Sequence, residues 1–225
     1  MNEDENHNGL QYKTGLNVDI LPFNPSGDCE LGGIYFARED ILTFLNYGPW
    51  IRKVTLPEDA KVYENPDSPK KWKADKVIFG RKFKITAKKI KQLIREGADP
   101  KAGNSFALQL AAGNGYLEIV KLLLPVSDPK ANNSNALQLA TENGHLEIVK
   151  LLLPVSDPKA CDSEALKLAA ENGHLEIVKL LLPVSDHKAN NSCALRLAAE
   201  NGHLEIVKLL IPVSEPKVVK ELGLN

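Results

Sequence analysis

Cysteine is scarce in this chain and oddly numbered: Cys29, Cys161 and Cys193 are the only three, and none shares a C-x-x-C spacing with another. That excludes a disulfide framework and a cysteine-based structural zinc site, and it points to a reducing compartment. Long apolar runs are missing too. No uninterrupted stretch approaches the ~18 residues that a membrane span requires, and the acidic start Met1-Asn-Glu-Asp-Glu5 lacks the apolar core of a secretory signal. Charge of one sign is not in excess, with 28 basic against 29 acidic residues, whereas a binder of phosphate backbones is usually basic. G-x-S-x-G, Walker A and H-E-x-x-H motifs are all absent. These absences lead to a cytoplasmic protein with no cofactor and no metal, and with neither nucleic acid nor membrane as partner.

What the chain has is repetition. Asp99, Asp128, Asp157 and Asp186 each head a copy of D-x-K-A-x-x-S-x-A-L-x-L-A-x-x-N-G-[HY]-L-E-I-V-K-L-L-[LI]-P-V-S, at a period of 29 residues. Such a period marks a stacked-repeat architecture. Within the second copy, Ser134 is placed to cap a first helix carrying Ala136, Leu137, Leu139 and Ala140, and Asn143-Gly144 offers a left-handed exit. A second helix is predicted from His145 to Leu153, with Leu146, Ile148, Val149, Leu152 and Leu153 apolar, Glu147 and Lys150 paired on the solvent side, and Pro154 as its stop. One such unit buries too little apolar surface to offset the entropy of ordering its backbone. Stacking lets each copy bury both flanks, and it creates extended surface for recognition.

The run A-L-x-L-A-x-x-N-G-H-L-E-I-V-K-L-L-L resembles the ankyrin repeat, whose usual length is about 33 residues. Two departures stand out. The family's T-P-L-H opening is replaced by Phe106-Ala-Leu-Gln, Asn135-Ala-Leu-Gln, Glu164-Ala-Leu-Lys and Cys193-Ala-Leu-Arg, and the connector is about three residues shorter. Short loops are therefore expected in place of protruding β-fingers. His145, His174 and His203 recur at the repeat period, at the starts of successive second helices. At ~8–10 Å between neighbouring elements they are too far apart to share a metal, so local hydrogen bonding at each helix start is expected.

The first 80 residues carry no repeat; they hold both tryptophans, Trp50 and Trp72, and are punctuated by Pro22, Pro25, Gly32 and Gly33. This reads as a small α+β domain. Strands are predicted at Ile34-Tyr35-Phe36, Ile51 to Leu56 and Val77-Ile78-Phe79, with a short helix from Glu39 to Asn46 turning Ile41, Phe44 and Leu45 inward, and Asn65-Pro-Asp-Ser-Pro-Lys-Lys as a loop. From Thr86, the pattern Ala87, Ile90, Leu93, Ile94, Gly97 resembles the second helix of a repeat that has lost its first. The basic cluster Arg81, Lys82, Lys84, Lys88, Lys89, Lys91 and Arg95 then suits a polar cap face. The resulting division is an α+β domain at 1–80, a junction and half-repeat cap at 81–98, repeats at 99–127, 128–156, 157–185 and 186–214, and a capping tail at 215–225. In that tail Val218, Val219, Leu222 and Leu224 have helical spacing. The fold class is mostly α: an ankyrin-repeat solenoid preceded by a small α+β domain.

The segments His7-Asn-Gly-Leu-Gln-Tyr, Gly15-Leu-Asn-Val-Asp, Phe23-Asn-Pro-Ser-Gly, Gly32-Gly-Ile-Tyr-Phe, Tyr47-Gly and Val54-Thr-Leu-Pro-Glu look similar to the leader domain that precedes ankyrin repeats in giant-virus proteins. That resemblance implies a viral protein acting in host cytoplasm. His7 with Gly9, and Gly33-Ile-Tyr-Phe-Ala, also resemble segments of ADP-ribosyltransferases of the poly(ADP-ribose) polymerase type. The second resemblance implies His7 on the NAD ribose, Tyr35 stacked on nicotinamide, and Glu58 or Glu64 as the stabilising glutamate. The competing reading of these residues is plain packing, with Tyr35 on a half-buried strand and His7 near the terminus.

Recognition by a repeat array falls on positions that vary between copies, because packing holds the rest constant. The variable ladders are Gly103, Asn132, Cys161, Asn190; Asn104, Asn133, Asp162, Asn191; Phe106, Asn135, Glu164, Cys193; and Gln109, Gln138, Lys167, Arg196. They lie in the connector and on the first helix, on one expected side of the stack. A protein partner is expected there, with Phe106 and Arg196 as anchors, since aromatic and arginine side chains dominate interface energetics.

Overall fold

In a computed structural model of the chain, the described residues are 5–7, 9–25, 32–47, 50–65 and 70–224. The chain divides into two compact units, Met1–Ala107 and Leu108–Asn225.

The first unit is built on short antiparallel strands: β1 (Asn6–His7), β2 (Leu10–Gln11), β3 (Gly15–Val18), β4 (Ile34–Phe36), β5 (Trp50–Thr55), β6 (Val62–Asn65), β7 (Lys71–Ala74) and β8 (Lys76–Lys84). A 3₁₀ segment, Glu39–Tyr47, lies between β4 and β5, and helix α1 (Ala87–Arg95) follows β8. β1 and β2 form a hairpin, β3-β8-β5 one sheet and β4-β7-β6 another. Asp75 is where the chain passes between the two larger sheets: its N–H donates to the Lys61 carbonyl (3.2 Å), while its own carbonyl accepts from Asp19 N–H (2.8 Å). Ile34, Ala74, Val77 and Phe79 form the core, with Leu10, Tyr12, Phe36, Val54 and Leu56 packed against it. Tyr12 meets Phe79 edge to face, centroids 5.1 Å apart, and burial pushes its hydroxyl up to about 12.

The three expected strands are present as β4, β5 and part of β8, and β1, β2, β3, β6 and β7 add to them. β7 reads Lys-Trp-Lys-Ala: polar and apolar residues alternate, but over four residues only, and the charged Lys73 is fully buried instead of facing solvent. The predicted helix is a 3₁₀ segment instead. Its tighter turn buries Leu42 and Thr43, and leaves the expected inward residues Ile41, Phe44 and Leu45 half-buried. Glu5 is held by Arg52 through two hydrogen bonds, 2.9 and 3.0 Å, and by Lys82 at 3.4 Å.

Helix α2 (Ala102–Gly113) is followed in the second unit by α3 (Leu117–Leu123), α4 (Ala131–Glu142), α5 (Leu146–Leu152), α6 (Ala160–Glu171), α7 (Leu175–Leu181), α8 (Ala189–Glu200), α9 (Leu204–Leu210) and α10 (Pro216–Glu221). First helices α4, α6 and α8 pack side by side, and second helices α3, α5, α7 and α9 do the same in a parallel row. Leu137, Leu166 and Leu195 from one row and Val149, Val178 and Val207 from the other are buried between them. Among the described residues of this unit there is no strand, as the shortened connector implies. Glu147 and Lys150 pair at 2.7 Å, and so do their counterparts in the neighbouring copies.

Ser134 is not the N-cap that its position suggests. Asn132, Asn133 and Ser134 form a single left-handed turn, with φ of 50°, 57° and 61°, and the right-handed helix starts only after them. Cys161-Asp-Ser163 and Asn190-Asn-Ser192 repeat the same backbone. The left-handed region costs ~1–2 kcal/mol per ordinary L-residue, and asparagine and aspartate tolerate it best. The serine hydroxyl supplies part of the compensation across the repeat boundary. Ser134 Oγ accepts from Asp157 N–H (2.8 Å), Ser163 Oγ from Asp186 N–H (2.7 Å) and Ser192 Oγ from Glu215 N–H (2.9 Å).

Candidate protein-binding surface

Each left-handed turn in the second unit ends in an exposed tip: Asn132-Asn133, Cys161-Asp162 and Asn190-Asn191. Their backbone angles agree to within 10° from copy to copy, so one geometry carries different chemistry. Asn135, Glu164 and Cys193 follow on the first turns of α4, α6 and α8, half-buried. One helical turn further, Gln138 donates to the Asn133 carbonyl (2.8 Å), and Arg196 Nε donates to the equivalent Asn191 carbonyl (3.3 Å). Lys167, between them, is tied to Glu164 (2.5 Å).

Two ladder members depart from the expected exposed row. Gln109 is only 2% exposed, and its amide oxygen accepts from Asn135 Nδ2 (2.9 Å). It is thus an inter-repeat packing residue before it can be a contact. Arg196 reaches Glu221 of α10 (2.6 Å) and holds that carboxyl below the ordinary glutamate range. Phe106, in α2, is half-buried.

The histidines act between repeats and not locally. His145 Nε2 lies 3.0 Å from the Gly113 carbonyl, His174 Nε2 3.0 Å from that of Glu142, and His203 Nε2 2.9 Å from that of Glu171. Each ring thereby satisfies a carbonyl at the C-terminal end of the preceding copy's first helix, one of the groups that a helix leaves unpaired. The glycine of Asn-Gly makes this approach possible: at Gly144 (φ 73°) an added Cβ would sit 2.7 Å from His174 Cε1. No cluster of metal-ligating side chains occurs among the described residues.

The residues of the NAD resemblance are dispersed. Across β4-β7-β6, Tyr35, Lys73 and Tyr63 stand in one row, and Phe36, Trp72 and Glu64 in the next. Adjacent positions on a strand face opposite sides, so Tyr35 and Glu64 cannot serve one site on this sheet. Lys71 and Lys73 place their ammonium groups 5.2 and 5.3 Å from the centre of the Tyr35 ring. Glu64 pairs with Lys70 (3.7 Å), and Glu58 is exposed in a turn. A cleft of about 730 Å³, lined by Phe36, Ile41, Arg52, Leu56, Leu93 and Glu96 among others, includes none of Tyr35, Glu58 or Glu64. The side chain of His7 and all of Cys29 lie outside the described residues.

Residues 84–162 and 154–220 match the family model for ankyrin repeats. The chain belongs to the ankyrin-repeat family. It is 41% identical over 118 residues to ankyrin repeat protein R229 of Acanthamoeba polyphaga mimivirus, covering 49% of this chain and 38% of that protein. Ankyrin repeat protein R896 of the same virus is 37% identical over 132 residues, covering 54% of this chain and 38% of the relative. An uncharacterized mimivirus protein, R869, is 38% identical over 133 residues, covering 55% of this chain and 93% of its own length. The chain thus spans well under half the length of the first two. Ankyrin repeats are a protein-interaction module. This example departs from the common 33-residue repeat in its 29-residue period. Among the described residues, no helix is long and apolar enough to cross a membrane.

Proposed function

We propose that the ankyrin array of this chain is a non-catalytic recognition surface for a protein partner, host or viral, in the cytoplasm of an infected cell, and that residues 1–80 form a leader domain preceding it. The observation that carries this reading is the constancy of the turn backbone against the variability of its tip. Asn-Asn, Cys-Asp and Asn-Asn occupy the same angles, so the residues are free to differ without disturbing the stack. The contact surface in the second unit consists of these tips, Cys161 among them, with Asn135, Gln138, Glu164, Lys167, Cys193 and Arg196 beside them.

Because Arg196 also holds Glu221, the cleaner test changes the third copy. Cys161→Asn with Asp162→Asn copies the neighbouring tips, and Glu164→Ala with Lys167→Ala removes the adjacent pair. Once a partner has been identified by cross-linking and mass spectrometry, this fourfold variant should bind it at least roughly tenfold more weakly, with an unchanged melting temperature. Glu147→Ala with Lys150→Ala, on the second helix, should do little. The reverse pattern would move the partner to the other face of the array. Incubation of the full chain with NAD should give neither hydrolysis nor protein labelling. Turnover that Tyr35→Ala abolishes in a folded protein would overturn the non-catalytic reading.

A further inference from the structure

Residues 81–95 hold seven cations, Arg81, Lys82, Lys84, Lys88, Lys89, Lys91 and Arg95, and no acidic residue, in a chain whose net charge is −1. Lys82 is committed to Glu5 and lies over the Trp50 ring (4.5 Å). Arg81, Lys84, Lys88, Lys91 and Arg95 are exposed, and no ion pair joins any of them to a carboxylate among the described residues. Lys88, Lys91 and Arg95 are spaced by three and four residues on α1, so they share one face of the helix, over about 10 Å at 1.5 Å per residue.

Local physics opposes this arrangement. Like charges at these spacings repel, and Lys88 and Lys89 lie in the first turn, where the helix dipole favours anions. The array itself shows the alternative. Lys89 stands one 29-residue period before Glu118, and Gln92 one period before Lys121. In every full copy those positions form a Glu–Lys pair, at 2.7 Å for Glu118 and Lys121, whereas in α1 Lys89 Nζ donates to Gln92 Oε1 (3.2 Å) and the charge stays uncompensated.

We propose that this face of α1 docks an acidic peptide segment of a partner protein, separately from the array surface. Acidic side chains on the partner would supply the missing counter-charges. Single-stranded nucleic acid is disfavoured because it binds through free aromatic platforms, and those at hand are occupied: Phe83 carries Arg81 (4.6 Å) and Lys89 (4.4 Å), and Trp50 carries Lys82.

The test is fluorescence anisotropy on the full chain with a fluorescein-labelled Glu/Asp-rich dodecapeptide, at low and at high salt. Lys88→Glu/Lys91→Glu/Arg95→Glu and the milder Lys88→Gln/Lys91→Gln/Arg95→Gln should each weaken binding at least roughly tenfold, and salt should weaken the unaltered protein. The glutamine variant should not melt lower, since it removes the like-charge repulsion. Lys121→Glu/Lys150→Glu/Lys179→Glu makes the same change in net charge on the array and should leave peptide binding intact. The proposal falls if this control weakens binding equally, or if the strip variants bind normally. It also falls if a single-stranded oligonucleotide of equal charge, or vesicles containing phosphatidylserine, bind more tightly than the peptide through the same lysines.

Discussion

Replacing Ser134 with threonine keeps the hydroxyl, and at a helix N-cap the exchange would be nearly neutral, since threonine ranks close behind serine there. The structure leads to a different result. Ser134 has φ of 61° and ψ of 37°, a region where ordinary L-residues pay ~1–2 kcal/mol and β-branched ones more. Serine already pays that cost, so Ser134→Thr should destabilise the array by the β-branched excess alone, about 1 kcal/mol. Ser134→Ala should cost about 1–3 kcal/mol, because Asp157 N–H, which the hydroxyl accepts at 2.8 Å, loses its buried partner. Ser134→Gly loses the same bond but relieves the left-handed strain, so it should cost less than alanine. Urea unfolding gives the order of stabilities, and native-state hydrogen exchange reads the Asp157 amide directly: protected in the serine protein, exposed to exchange in the alanine and glycine variants. A threonine variant as stable as the parent, with Asp157 still protected, would refute the left-handed turn and restore the N-cap. Ser163 provides an independent repeat of the experiment through Asp186.

Thr141 is fully buried with its hydroxyl unpartnered, at a position where the neighbouring copies have Ala112 and Ala170; Thr141→Ala removes that orphan and a β-branched residue from a helix, and should raise stability by about 1 kcal/mol, measured as a higher urea midpoint. Deleting residues 216–225 uncovers the surface under Val218, which is 1% exposed, and breaks the Arg196–Glu221 pair; the truncated chain should melt lower and self-associate in analytical ultracentrifugation, and an equally stable monomer would remove α10 as the cap. Glu5 is held below its ordinary value of 4.5, first by the Arg52 hydrogen bond and then by the charges of Arg52 and Lys82, against an opposing effect of burial. Its ionised form is thus favoured by folding, and the contribution is present above about pH 4.5 and lost as pH falls through the lower folded value; Glu5→Gln should flatten the acid limb of a stability profile and leave the neutral region lower.

The second unit was largely legible because its information is local. The Asn-Gly turns, the Leu-Glu-Ile-Val-Lys-Leu-Leu helices and their proline stops recur four times, so each signal was read against three copies of itself. In the first unit the strands are two to nine residues long, and in the four-residue β3 and β7 the buried positions include Asn17 and Lys73, which no apolar pattern marks. Their pairing comes from partners far along the chain, such as Gly15 with Phe79. The candidate surface was half visible. Its variable positions could be enumerated from the copies, but the burial of Gln109 by Asn135 and the engagement of Arg196 by Glu221 depend on residues 26 and 25 positions away.

By itself, the sequence determined the period, the two helices of each copy, the loss of the β-finger and the membership of a stacked-repeat class, because periodic apolar spacing and turn residues act over a few neighbours. Tertiary structure alone decided what the polar invariants do. Serine at the head of each copy and histidine after Asn-Gly both looked like local helix-start residues. In the folded chain, the serine oxygen accepts from an amide 23 residues ahead and the histidine ring meets a carbonyl 32 residues behind. A hydrogen bond depends on the position of its partner in space, and in a stacked array that partner belongs to a neighbouring copy, so short-range spacing holds no record of it.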